Sequence, residues 1–455
     1  MSELKPAHPP LEDLAVPAAD PVRMDTVGAD AARVWDSPDD DDDNPRDTRT
    51  FFRGRLLWTV RQYIREHGPL AAMLAVVFVN LAGYGIMVPL IPFFASSLNA
   101  APWQVTLMFS IYYLGQFFAE PYFGRLSDRI GRKPILILTT ALSVPFYIAL
   151  AFAPNIWIAI AIRFFSGLSS GNISTIQSYV SDISRPDQRA SRMSLIGAAF
   201  SLGIMIGPVI VGLLSHAPVT GGQFRPPLIA AAILSAIACV MVMLYVRESR
   251  QRTQTTVPPP ILRSLKDALK NPVTLRVILA TLGYMATFAT LEATFGLWVK
   301  VRFGWDVAKT ATIFPIIGVT AVIMLLVVMR PLVRRYGESK VLACGLFLFG
   351  LSFALQSLHN VEGLIAPIVV LGTIGQSVIF STICAILSIT TPSDRTGAML
   401  GLNMSIGAMA RITGPMIAGV LFSTFGPNAP LWMGAALTIP AAVLALQIGR
   451  LKKAY

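Results

Sequence analysis

The chain has 455 residues, 54% of them hydrophobic and only 14% charged, with a formal net charge of +12. A soluble domain carries about 25% charged residues, so this composition excludes a conventional soluble enzyme and points to a membrane. Residues 1–66 hold 14 of the 25 acids and 9 of the 37 basic residues; the remaining basic residues cluster in short loops between apolar runs, which makes an anionic lipid surface, rather than nucleic acid, their partner.

Residues 1–50, rich in Pro, Ala and Asp and containing the run Asp39 to Asp43, read as a disordered acidic cytosolic tail. No short apolar segment of the signal-peptide kind opens the chain, so the first membrane helix is expected to direct insertion. Residues 51–68 read as an amphipathic interfacial segment, with Leu57, Val60 and Ile64 on one face and Arg61 and Arg65 on another. Twelve apolar runs follow, at 70–95, 103–125, 134–153, 156–180, 190–214, 226–246, 274–299, 308–332, 339–358, 363–389, 396–422 and 430–449. Each is long enough to cross a hydrocarbon core of ~30 Å. The reading is an all-α membrane protein with twelve transmembrane helices in two six-helix bundles. The bundles cover 69–246 and 274–450, and a cytosolic linker at 247–273 contains Pro258-Pro259-Pro260.

Loop charge sets the orientation. With the N-terminus placed in the cytosol, the inner loops and C-terminal tail collect 22 Lys and Arg, and the outer loops four: Arg225, Lys300, Arg302 and Lys309. Both termini are therefore expected in the cytosol. Cys239, Cys344 and Cys384 fall inside apolar runs, without the spacing of a disulfide framework or a zinc site, and read as packing residues. No metal site and no cofactor are expected. The halves also echo each other. Asp187 and Asp394 each precede a Gly-Pro pair by 20 residues, at Gly207-Pro208 and Gly414-Pro415, with Gly212 and Gly419 beyond. Parallel six-helix repeats around a central cavity are a common transporter plan.

The loop after the second span reads Gly124-Arg-Leu-Ser-Asp128-Arg129-Ile-Gly131-Arg132-Lys133-Pro134. Here the chain resembles the major facilitator superfamily, whose signature in this loop is G-x-x-x-D-R-x-G-R-K. Physically, Gly124 allows close helix approach, Asp128 suits a helix N-terminus, and the arginines suit nearby acids. Span one carries Gly83-Tyr-Gly85 with Pro89 and Pro92; spans four and five carry Arg163-Phe-Phe-Ser-Gly167, Tyr179-Val-Ser-Asp182 and Gly203-Ile-Met-Ile-Gly207-Pro208. These segments are similar to the drug:proton antiporter branch of the tetracycline-efflux type, in which a Gly-rich, Pro-containing fifth helix goes with export. Gly203, Gly207 and Gly212 would let span five pack tightly while Pro208 bends it. One departure matters: many such antiporters carry an acid in span one where this chain has neutral Asn80.

The coupling proton therefore needs another carrier. Only two acids, Glu120 and Glu292, lie well inside spans, and a charge at mid-bilayer costs roughly 2.5–3.5 kcal/mol on insertion scales. With Arg163 and Arg411 they form the expected proton-coupling set. Spans seven and eleven are neighbours in a bundle of this type, so a Glu292–Arg411 pair is expected, whereas Arg163 and Glu120 sit at different depths. A cytosolic gate is expected from Gly124, Asp128, Arg129, Gly131, Arg132 and Asp182: Asp182 meeting Arg129 or Arg132, and Asp128 meeting the inner end of span eleven. Gly414 and Pro415 repeat the packing role of span five. Asn80, Tyr84, Gln116, Gln177, Tyr284 and Phe288 are candidates to line a substrate cavity.

The expected function is proton-gradient-driven export of small amphipathic compounds by alternating access, by a monomer in a bacterial inner membrane. A metabolite exporter or facilitator on the same fold is the rival, and a transport-inactive binding or assembly protein a more distant one. No nucleophile–base pair or phosphate-cradling loop suggests an enzyme.

Overall fold

The computed structural model describes residues 48–184, 188–215, 224–249, 268–391 and 395–451. The Asp39–Asp43 run, Asp187, Asp394 and Pro258-Pro259-Pro260 lie outside the described residues. Among the described residues there is no strand; helices follow one another through short turns. The chain divides at Gln62 and Tyr63, and the unit beginning at Tyr63 holds all the membrane spans.

Eleven helices are long and apolar enough to cross a membrane: Gly68–Ser97, Arg132–Ala151, Ile156–Asp182, Leu195–Leu214, Arg225–Tyr245, Pro272–Phe303, Val307–Tyr336, Glu338–Leu358, Glu362–Thr390, Gly397–Phe425 and Ala429–Gly449. Helix Pro102–Ile130, 29 residues long, takes the second place in the order. Gln116 and Glu120 interrupt its apolar course, yet its length suffices to span. Local chemistry sets the ends. Asn155 caps Ile158 N at 3.0 Å, Asn271 caps Val273 N at 2.9 Å ahead of Pro272, and Asp306 caps Lys309 N at 2.8 Å. Gly304 closes span seven in a left-handed conformation.

Two spans depart from continuous helices. Span four is broken at residues 170–172 into Ile156–Ser169 and Ile173–Asp182. There Ser170 Oγ donates to Ser166 O, and Asn172 Nδ2 donates to Thr139 Oγ1 at 3.0 Å, so polar side chains of the turn take over from the helical ladder. Span eight carries a π-helical stretch at Met324–Val328.

In the first half, span two packs on span four, and span three on spans four and six; in the second, span seven packs on eleven and twelve, and span nine on ten and twelve. The halves meet through span two against eleven and span five against eight. The two Gly-Pro landmarks do equivalent work inside their own halves. A Cβ at Gly207 would lie 2.6 Å from Ala82 O in span one, and a Cβ at Gly414 would lie 2.6 Å from Ala286 O in span seven. Gly203 likewise sits against Phe78 O and Leu81. In lipid, such close backbone approach replaces the hydrophobic drive as the source of helix association. Of the cysteines, Cys239 is buried, but Cys344 is exposed on the helix surface, a correction to its reading as a packing residue.

Contacts between the halves gather at the end opposite the Gly124–Pro134 loop. Gly419 faces Trp103 and Thr106, Gly212 faces Ala311, and Gly296 faces Pro92 and Phe93. At the loop end, a Cβ added at Gly197, Gly397 or Gly401 would meet nothing within 4 Å. The apolar core there, from Leu70 through Tyr179 to Val246, is built from the first half alone. Among the described residues, the halves are joined at one end and parted at the other.

Candidate functional site

Where the closed part stops, span two presents Tyr112, Tyr113, Gln116 and Glu120, and spans seven and eleven present Glu292 and Arg411. Tyr113 donates its hydroxyl proton to Glu292 Oε2 at 2.5 Å, and Tyr84 of span one lies 2.7 Å from the same hydroxyl. Arg411 lies 4.4 Å over the Tyr113 ring and donates through Nη2 to Gln116 Oε1 at 3.2 Å. Tyr84 stacks on Tyr112 at 5.6 Å. Ala289 and Ile412 close the cluster from the second half. The result is a hydrogen-bonded chain, Tyr84–Tyr113–Glu292, that crosses from one half to the other.

This arrangement corrects one expectation. Spans seven and eleven do pack together, yet Glu292 and Arg411 make no ion pair among the described residues. The Tyr113 side chain is inserted beside both: its hydroxyl takes the carboxylate and its ring face takes the guanidinium. Arg163 lies apart from them. It is buried in the first half, 4.3 Å over the Tyr112 ring.

Of the cavity candidates, Gln116 and Tyr284 are buried, Gln116 by its bond to Arg411 and Tyr284 by packing on Phe349 and Phe288. Asn80, Tyr84 and Phe288 are half-buried, and Gln177 is exposed beyond the break in span four.

At the loop end, Arg132 organises the signature residues. Its Nη1 donates to Asp128 Oδ1 at 2.5 Å and Ser127 Oγ at 2.6 Å, and its Nε donates to Asp182 Oδ2 at 3.2 Å. Asp182 thus meets Arg132 and not Arg129, which is exposed. The ion-pair partner of Asp128 is Arg132 in its own loop, where the inner end of span eleven was expected. Gly124 seats span two against Ser174 Oγ, with a would-be Cβ at 3.2 Å.

Sequence reasoning missed two residues. Tyr113 reads as one more aromatic in an apolar run; only the fold sets it against Glu292. Glu248, just past span six, accepts from Arg132 N at 2.8 Å and Lys133 N at 3.1 Å, so it caps span three across the half. It also explains Gly131, whose φ of 112° and lack of a Cβ leave room for the Glu248 carboxylate.

The chain was compared with known proteins. The family model described as Major Facilitator Superfamily matches residues 73–331 and 321–453. The class C tetracycline resistance protein of Escherichia coli is 24% identical over 407 residues, covering 86% of this chain and 98% of that protein. The class G tetracycline resistance protein of Vibrio anguillarum is 28% identical, with 80% and 92% covered. Multidrug resistance protein 2 of Bacillus subtilis is 24% identical, with 77% and 88% covered. Among solved structures, the nucleoside transporter NupG aligns with a TM-score of 0.70 at 12% identity, covering 84% of this chain and 99% of that one. The human organic anion transporter MFSD10 aligns with a TM-score of 0.62 at 21% identity over the same shares. These structures establish a shared fold.

Proposed function

Because the chain belongs to the Major Facilitator Superfamily, we propose that it is a proton-coupled exporter of small amphipathic compounds, of the kind its tetracycline and multidrug resistance relatives are named for. It is an integral multi-pass membrane transporter and not an enzyme. The loop end, with its excess of basic residues, faces the cytosol, as do both termini; the membrane is a bacterial inner membrane, and the working unit is a monomer. On that orientation the state described above is open to the cytosol.

One observation carries the proton assignment: Tyr113 of the first half donates to Glu292 of the second. An ionised carboxylate is the stronger acceptor, so the bond that holds the outer end shut depends on the proton carried by Glu292. Opening outward requires Tyr113 to leave. Glu292 then meets external water and takes up a proton; closure and inward opening return that proton to the cytosol as substrate enters. Arg411, held over the Tyr113 ring, steadies the carboxylates of Glu292 and Glu120 in turn. One charge moved through 100 mV supplies ~2.3 kcal/mol, and the gradient is the only energy source the cycle uses. Arg132, Asp128 and Asp182, together with Gly131 and Gly124, form the half of the cytosolic gate contributed by the first bundle. Asn80, Tyr84, Gln177 and Phe288 line the substrate path.

The test is drug accumulation and proton-driven efflux in a pump-deficient bacterium and in proteoliposomes, comparing the parent with Glu292→Gln. Loss of gradient-driven export at normal expression is expected. Gradient-driven export that survived in both Glu292→Gln and the Glu120→Gln, Glu292→Gln double variant would reject the assignment. Parallel assays with radiolabelled metabolites, with and without an uncoupler, separate the metabolite-exporter reading.

A further inference from the structure

We infer that the first half of the protein holds a small monovalent anion at Arg163. Its side chain is 1% exposed, and its sole aromatic neighbour in cation–π geometry is Tyr112. Nε and Nη2 have no hydrogen-bond partner, and no ion pair among the described residues includes Arg163. Guanidinium donors carry a permanent charge, and a buried charge persists only when paired. A tyrosine face offers a fraction of what a counter-charge would.

The protein does not supply that counter-charge. No ion pair among the described residues joins Arg163 to either acid of the membrane interior, Glu120 or Glu292, and the polar side chain one turn before Tyr84 is the neutral Asn80. Beside Arg163 on its own helix is a hydroxyl with nothing to bond. Ser166 Oγ lies one turn further along the same helix and is buried without a partner. Spans two and four pack with Gly115 against Phe164 and Leu168, and Gly171 against Ala119. That register brings Ser110, also buried and unpartnered, near the level of Arg163. Two guanidinium N–H donors and the nearby Ser166 hydroxyl are thus buried without a partner. A water molecule would supply the acceptor but not the charge; a small anion supplies both. A halide or the carboxylate of a small organic acid is the class of occupant that such a guanidinium would hold. The site is independent of the proton assignment at Glu292, because occupancy is read without transport.

The test uses the full chain purified without chloride, in isethionate at fixed ionic strength, with thermal unfolding followed as halide or acetate is added. A ligand that binds the folded state raises the midpoint in proportion to ln(1 + [L]/Kd), so a rise of several degrees over a hundredfold range of concentration is expected. Chloride and bromide acting alike would identify a halide site, and acetate acting alone would identify a carboxylate site. Arg163→Gln should abolish the response, and Ser166→Ala should weaken the apparent affinity roughly tenfold. Should Arg163→Gln fail to fold, Ser166→Ala carries the comparison. No saturable response in the parent to any of these anions, or an equal response in parent and variants, overturns the inference.

Discussion

Two glycines occupy equivalent places in the repeat, Gly212 in span five and Gly419 in span eleven, and both face the opposite half at the closed end. Their surroundings differ in a way that fixes a prediction. A Cβ at Gly212 would lie 3.5 Å from Ala311 Cβ, an ordinary contact, whereas a Cβ at Gly419 would collide with Thr106 Oγ1 and lie 2.9 Å from Trp103 Cα, a backbone atom that has no rotamer to move. Overpacking of this kind costs typically 1–3 kcal/mol. When the closed end parts, the strain is relieved, so its full amount falls on the equilibrium between the two states, a shift of roughly 5- to 150-fold. Spin labels at Pro154 and Gly363, both exposed at the closed end, would report it by electron–electron distance measurement in a background lacking Cys239, Cys344 and Cys384. Gly419→Ala should move population to the longer distance, and Gly212→Ala should leave the distribution where it is. Equal shifts in both, or none in Gly419→Ala at normal folding, would refute the view that this backbone contact holds the end shut.

Tyr113→Phe removes the hydroxyl bridge to Glu292 and should cost about 1.5–3 kcal/mol of inter-half attraction when Glu292 is ionised; a cycle between Glu292→Gln and Arg411→Gln should show coupling that shrinks in the Tyr113→Phe background, measured by thermal unfolding. Gly131→Ala places a Cβ at φ 112° against the Glu248 carboxylate; a loss of at least ~1–2 kcal/mol is expected from the backbone alone, and Glu248→Ala should partly rescue the alanine variant in thermal unfolding. Arg132→Ala should release Asp128 and Asp182 together; transport unchanged at unchanged expression would exclude a gating role for the network.

The membrane architecture was legible because hydrocarbon imposes it: a run of about 20 apolar residues has few other uses, and the repeated Gly-Pro pairs mark the two helices that must approach the first helix of their halves most closely. The break in span four was not read, although its signal stands in the sequence as Ser169-Ser170-Gly171-Asn172, residues that compete for backbone hydrogen bonds. Hydropathy averaged over a window hides four such residues inside 27. The acids and arginines of the interior were found by their rarity, but their pairing was not, since depth along the membrane normal says nothing about which side chain lies between them. Tyr113 and Glu248 belong to that second kind: each acquires its place only when distant spans are brought together.

The interruption of span four lies directly across from Glu120 of span two. The backbone at Gly171 lies close enough to Glu120 that an added methyl would come within 2.8 Å of Glu120 N, and Ser174 Oγ beyond the break bonds Glu120 O at 3.4 Å. Ten residues past it, the short segment Ile173–Asp182 ends at the acid that holds Arg132. A continuous rod would oblige the Asp182 end and the Arg163 end of the span to tilt as one piece. The three-residue turn breaks that rod, so the piece that ends at Asp182 and the piece that carries Arg163 are separate helices with separate hydrogen-bond ladders.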